Sequence, residues 1–139
     1  MKEIPISFRV KGNKVELSRD LFGLGEKVTD PEYVKYMGTD GRFVNSEAEI
    51  TDGVIIKEVK GKGKIKVEEA YVPFGEILAI ISIIGSGITL TELSYKITNW
   101  LIDKTHNFND IEIKLNGKIV NDKEEIKKLL EEILKDDEE

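Results

Sequence analysis

At 139 residues with 40% hydrophobic content, the chain has the length of one domain and enough apolar side chains for a core. It has no cysteine and a single histidine, which excludes a disulfide framework, a thiolate nucleophile and a zinc site of ordinary composition. The net charge of −6 is unevenly placed: residues 122–139 hold nine acids and four lysines, whereas residues 57–66 hold five lysines and one glutamate.

Charged residues make up 35% of the chain, mostly Lys and Glu, and there is no glutamine, a usage found in heat-adapted proteins. The opening Met1-Lys2-Glu3-Ile4-Pro5 lacks the apolar core of a secretion signal, so a cytoplasmic location is expected. Residues 1–135 read as one α+β domain and residues 136–139 as an acidic, frayed tail.

In chain order, Ile4, Ile6, Phe8 and Val10 alternate with Pro5, Ser7, Arg9 and Lys11, which is the period of a strand with one buried face. Gly12-Asn13 is a turn signal, and Val15 and Leu17 resume the alternation, so a β-hairpin is expected. Pro5 has no N–H for a ladder, so this first strand is expected at a sheet edge or to begin near that residue. Residues 18–45 are punctuated by Gly23, Gly25, Gly38 and Gly41 and read as a loop-rich connection. Within it, Asp30 as cap, Pro31 in the first turn and Gly38 as stop suggest a short helix. A second hairpin is expected over residues 48–72. Val54-Ile55-Ile56 leads in, Lys60-Gly61-Lys62-Gly63 turns, and Ile65, Val67, Tyr71 and Val72 lead out.

The most apolar stretch is residues 77–101. It runs Ile77-Leu78-Ala79-Ile80-Ile81-Ser82-Ile83-Ile84, pauses at Gly85-Ser86-Gly87, and resumes through Leu90 and Leu93 to Trp100-Leu101. Residues 77–90 are free of charge, but 14 residues of helix span about 21 Å, short of the ~30 Å hydrocarbon core of a bilayer. The run is therefore expected to be a buried helix, and one apolar all round needs cover on every side. Thr89-Leu90-Thr91-Glu92 has the form of a capping box, and Leu90, Leu93, Ile97, Trp100 and Leu101 fall on one face of the helix that follows. Ile111, Ile113 and Leu115 then alternate with Glu112 and Lys114. Asn116-Gly117 supplies a two-residue hairpin turn, and Asn121 or Asp122 caps a helix striped with Ile126, Leu129, Leu130, Ile133 and Leu134. The expected fold is α+β: antiparallel β-hairpins packed around a hydrophobic central helix pair, with a C-terminal β-hairpin–helix unit.

No motif for catalysis emerges. His106 lies in a polar loop without a nucleophile elbow near Ser82, Ser86 or Ser94, and it reads as a solvated histidine. Asp30, Glu32, Asp40 and Asp52 are carboxylates in loops, but no twelve-residue calcium-loop pattern contains them. Gly61-Lys62-Gly63-Lys64 lacks the spacing of a phosphate loop, and Gly23-Leu24-Gly25 lacks a third glycine. No catalytic residue, metal or cofactor is assigned.

From residue 77 to 135 the order of elements resembles the small effector-associated adaptor modules found with proteases and NTPases in prokaryotic conflict systems. The order is a Gly-interrupted apolar helix, a helix ending in Trp100-Leu101, the stretch Asp110-Ile111-Glu112-Ile113-Lys114-Leu115-Asn116-Gly117-Lys118-Ile119-Val120, and a Leu-rich helix. The resemblance implies an adaptor that docks by protein–protein contact. The expected function is a non-enzymatic interaction or self-association module, with Ile80, Ile81, Ile84, Leu93, Ile97 and Trp100 as interface candidates and a protein or a second copy as partner. The alternative is a nucleic-acid-binding module that uses Lys57, Lys60, Lys62, Lys64 and Lys66. Scarce arginine and the negative net charge count against it.

Overall fold

The computed structural model describes residues 2–11, 14–27, 42–59, 74–85, 87–108 and 110–135. They form β1 (Lys2–Lys11), α1 (Lys14–Phe22), β2 (Leu24–Lys27), β3 (Arg42–Val44), β4 (Glu47–Thr51), β5 (Val54–Glu58), β6 (Phe74–Ile83), α2 (Leu90–Lys104), β7 (Ile111–Leu115), β8 (Lys118–Val120) and α3 (Lys123–Lys135). Six strands make one sheet in the order β4-β5-β6-β1-β7-β8, and β2 pairs with β3 separately. Every pairing is antiparallel.

The axis of the sheet is the β1–β6 pair, in register from Lys2↔Ile83 to Lys11↔Phe74. The apolar run at residues 77–83 is therefore a central strand, and the expected central helix pair is corrected to a strand followed by one helix. The physical reason lies in side-chain shape. Ile77, Ile80, Ile81 and Ile83 are β-branched, stiff at χ1 and suited to a pleated surface. A run of this length, apolar on both faces, carries no period that separates a central strand from a buried helix. Gly85 ends it, and α2 starts where expected: the Thr89 Oγ1 accepts the Glu92 N–H at 3.3 Å.

The expected N-terminal hairpin is also corrected. Val15 and Leu17 belong to α1, in which Leu17, Leu21 and Phe22 are buried. The alternation after Asn13 was only two residues long, whereas Leu17 and Leu21 have helical spacing. β1 takes its partners from distant β6 and β7, and it lies in the interior of the sheet. Pro5 is tolerated there because its carbonyl, and with it its ring nitrogen, faces Asn116, whose N–H it accepts at 2.8 Å. At that point β7 has ended, so no ladder bond is lost.

The second expected hairpin forms with a different partner. Val54–Glu58 turns back on Glu47–Thr51 through Asp52-Gly53, and Gly53 supplies the positive φ of 80°. The expected turn at residues 60–63, its return strand and the short helix at 31–37 lie outside the described residues.

The C-terminal unit follows the expectation. Leu115↔Lys118 closes a hairpin over Asn116 (φ 51°) and Gly117 (φ 83°), the left-handed pair that Asn-Gly favours. Asp122 Oδ1 accepts the Glu125 N–H at 2.8 Å, and Glu125 Oε2 reaches back to the Asn121 N–H at 2.7 Å. One orphan donor of α3 and the N–H of the residue before its cap are thereby satisfied.

One face of the large sheet is the core. Ile4, Ile6, Phe8 and Val10 of β1, Ile77, Ala79 and Ile81 of β6, Val54 and Ile56 of β5, and Ile113 and Leu115 of β7 are buried in one cluster. The same cluster contains Leu93, Ile97 and Leu101 of α2 and Ile126, Leu130, Ile133 and Leu134 of α3. Buried hydroxyls on α2 spend their donors on their own helix: Ser94 to the Leu90 carbonyl at 3.0 Å and Thr98 to the Ser94 carbonyl at 2.6 Å. All three described helices thus contribute to the core on one face of the sheet.

Candidate functional site

The opposite face of the sheet carries no helix among the described residues, and register alone determines what stands on it. Side chains alternate along a strand, so the neighbours of the buried positions point outward. One row crosses the sheet through Val59, Leu78, Ser7, Lys114 and Ile119, with the Val59 N–H bonded to the Leu78 carbonyl at 2.8 Å. The next row is Glu47, Lys57, Ile80 and Pro5, and the one beyond it is Glu49, Ile55, Ser82 and Glu3. On the other side of the Leu78 row, Arg9 stands between Glu76 and Glu112.

The apolar part of this face is Leu78 and Ile80 on β6 with Ile55 on β5 and Val59 just beyond it, while Ser7 and Lys114 stand between it and Ile119 on β8. Leu78 is 40% exposed, Val59 56% and Ile119 51%, while Ile55 and Ile80 are half-buried by their neighbours. Ile84, one residue beyond β6, is 61% exposed, and its N–H still bonds to the Gly53 carbonyl at 2.8 Å. A cluster of large aliphatic side chains on an open sheet face is an uncommon surface for a protein that stays alone in water.

The sequence-derived interface candidates divide between the two sides. Ile80 and Ile84 stand on the open face or its end. Ile81, Leu93 and Ile97 are core residues, and Trp100 is half-buried on α2 with the Lys104 ammonium 6.0 Å from its ring. Leu78, Ile55, Val59 and Ile119 were not among the candidates. Their signal was present as the alternate positions of strands, and for Leu78 it becomes visible only once residues 77–83 are read with a period of two.

Of the lysines in the alternative reading, Lys57 faces outward from β5 and pairs with Glu47 across the β4–β5 ladder at 3.6 Å. Lys60, Lys62, Lys64 and Lys66 lie outside the described residues.

His106 has a partner that sequence proximity did not suggest. Its Nε2 lies 3.2 Å from Oδ2 of Asp20 on α1, and both groups are solvent-exposed. The loop that carries it is unusual, because His106, Asn107, Phe108 and Asp110 all have φ between 51° and 64°. Such left-handed geometry costs most residues about 1–2 kcal/mol, and here it turns the chain sharply from α2 into β7. The Asn107 N–H closes the helix end on the Ile102 carbonyl at 3.0 Å. Beside the loop is an open cleft of about 550 Å³ lined by Arg9, Lys11, Phe108, Asp110, Ile111 and Glu112. Its charges balance, and among the described residues no hydroxyl is bonded to the His106 ring.

Among the described residues there is no cluster of His, Asp and Glu with the makings of a metal site, and Asp30, Glu32 and Asp40 lie outside them. No described helix is long and apolar enough to cross a membrane. Comparison with protein-family models, curated proteins and solved structures finds no match.

Proposed function

We propose that this chain is a non-enzymatic protein-interaction module, adaptor-like in role, that docks through the open face of its sheet. The observation that carries the reading is the outward cluster of Ile55, Val59, Leu78 and Ile80 on adjoining strands. A two-layer domain needs only one apolar sheet face to bury against its helices. A second apolar face adds nothing to the monomer's core, and water contact with it is unfavourable by about 25 cal/mol per Å². The resemblance of residues 77–135 to adaptor modules does not carry the reading. Its hairpin and closing helix are present, while the helix it requires at residues 77–84 is a strand.

Site-specific photocrosslinking tests the reading. A photoreactive residue at position 78 is expected to give protein adducts in cells. The same residue at position 128, on the exposed side of α3, is expected to give few. Equal yields at both positions, or none at 78, overturn the proposal.

A further inference from the structure

Resting on that reading, we infer that the occupant of the open face is the same face of a second copy, which gives a face-to-face dimer centred on Leu78 and Ile80. Shape is the first argument. The surface is the outer side of a pleated sheet, and the surface that matches one sheet is another sheet, stacked about 10 Å away.

Charge is the second argument. The outward charged residues are Glu3, Glu47, Glu49, Glu76 and Glu112 against Arg9, Lys11, Lys57 and Lys114, a net of −1. Residues 122–135, whose helix α3 packs on the far face of the sheet, likewise carry a net of −1, from five acids and four lysines. The open face is thus nearly neutral, with its basic and acidic side chains interspersed, so two identical faces repel each other little.

Area is the third argument. Six strands about 4.8 Å apart and roughly 20–25 Å long present ~600 Å². Two copies would bury ~1,200 Å², the lower limit of the usual class for specific complexes. Edge-to-edge pairing is a poorer route, because the edge strand β8 has three residues and β4 has five, two of them glutamates.

Sedimentation equilibrium of the full chain, from low micromolar to a few hundred micromolar, tests the inference. The expected mass rises from 15.7 kDa toward twice that value. The double variant Leu78→Lys/Ile80→Lys is expected to weaken association by at least about a hundredfold. Its circular dichroism should be unchanged, since both side chains face outward. Ser7→Arg, in the same row as Leu78, is expected to act likewise and serves if the double variant does not fold. Lys128→Glu on α3 should leave the mass profile unaltered. A monomer at every concentration, or a dimer indifferent to both outward variants, overturns the inference. A monomer that still yields adducts to another protein from position 78 removes self-pairing and leaves the interaction module standing. A monomer with no adducts removes both.

Discussion

Truncating Ile81 to alanine is expected to be among the most damaging single changes in this chain, whereas truncating Ile84 should be nearly silent. Ile81 is fully buried on the inner side of β6, in register with Ile4 of β1 and Ile56 of β5. Removing a buried isoleucine side chain to its β-carbon costs about 2–5 kcal/mol, through lost transfer energy and the cavity left behind. For a domain of this size that corresponds to roughly 6–15 °C in Tm. Ile84 is 61% exposed, so little is lost, and the cost should be about 0.5 kcal/mol or less. Urea denaturation at low micromolar protein, followed by circular dichroism, reads both values, and the low concentration keeps self-association out of the result. A helix through this run would place Ile77, Ile81 and Ile84 on one stripe and make all three expensive. Comparable losses for Ile81→Ala and Ile84→Ala would therefore refute the strand and the two-faced sheet built on it.

Other changes test the local architecture. Gly117→Ala keeps open space around the new β-carbon but forces φ 83° on a residue that resists it, so a loss of about 1 kcal/mol in chemical denaturation is expected. Asp122→Ala removes the side chain that caps α3 and should also cost about 1 kcal/mol, seen as a lower denaturation midpoint, while Asp122→Asn should retain most of the stability. Asp20→Asn, which breaks the exposed contact with His106, should change stability by less than about 0.5 kcal/mol in the same assay, because both partners are open to solvent.

The legible parts of this fold were those governed by neighbours in sequence. Asn116-Gly117, the helix cap at Asp122 (one of the two candidates, Asn121 and Asp122) and the Thr89 cap each arise within a few residues. The β1 alternation was equally plain. What stayed hidden was pairing. Nothing near Ile4–Val10 says that its partner is seventy residues downstream, so the nearest alternating residues were taken for a hairpin partner when they belong to α1. The run at residues 77–83 is ambiguous for a related reason. A strand in the centre of a sheet with apolar residues on both sides shows no alternation, and composition alone favours neither period. The candidate site inherited that ambiguity. Once residues 77–83 become a strand, half of its side chains move to the opposite face, which puts Leu78 beside Ile80 and returns Ile81 to the core.

The two-faced strand and the contact proposed for its outer side can be read together from methyl resonances in the presence of a soluble paramagnetic agent. In dilute protein, the methyls of Leu78, Val59 and Ile84 should broaden strongly while those of Ile77 and Ile81 are spared. As concentration rises, protection should appear at Leu78, Ile80 and Ile55 and nowhere on α3. Broadening at Ile81 equal to that at Leu78, or an outer face equally accessible at every concentration, would contradict the account.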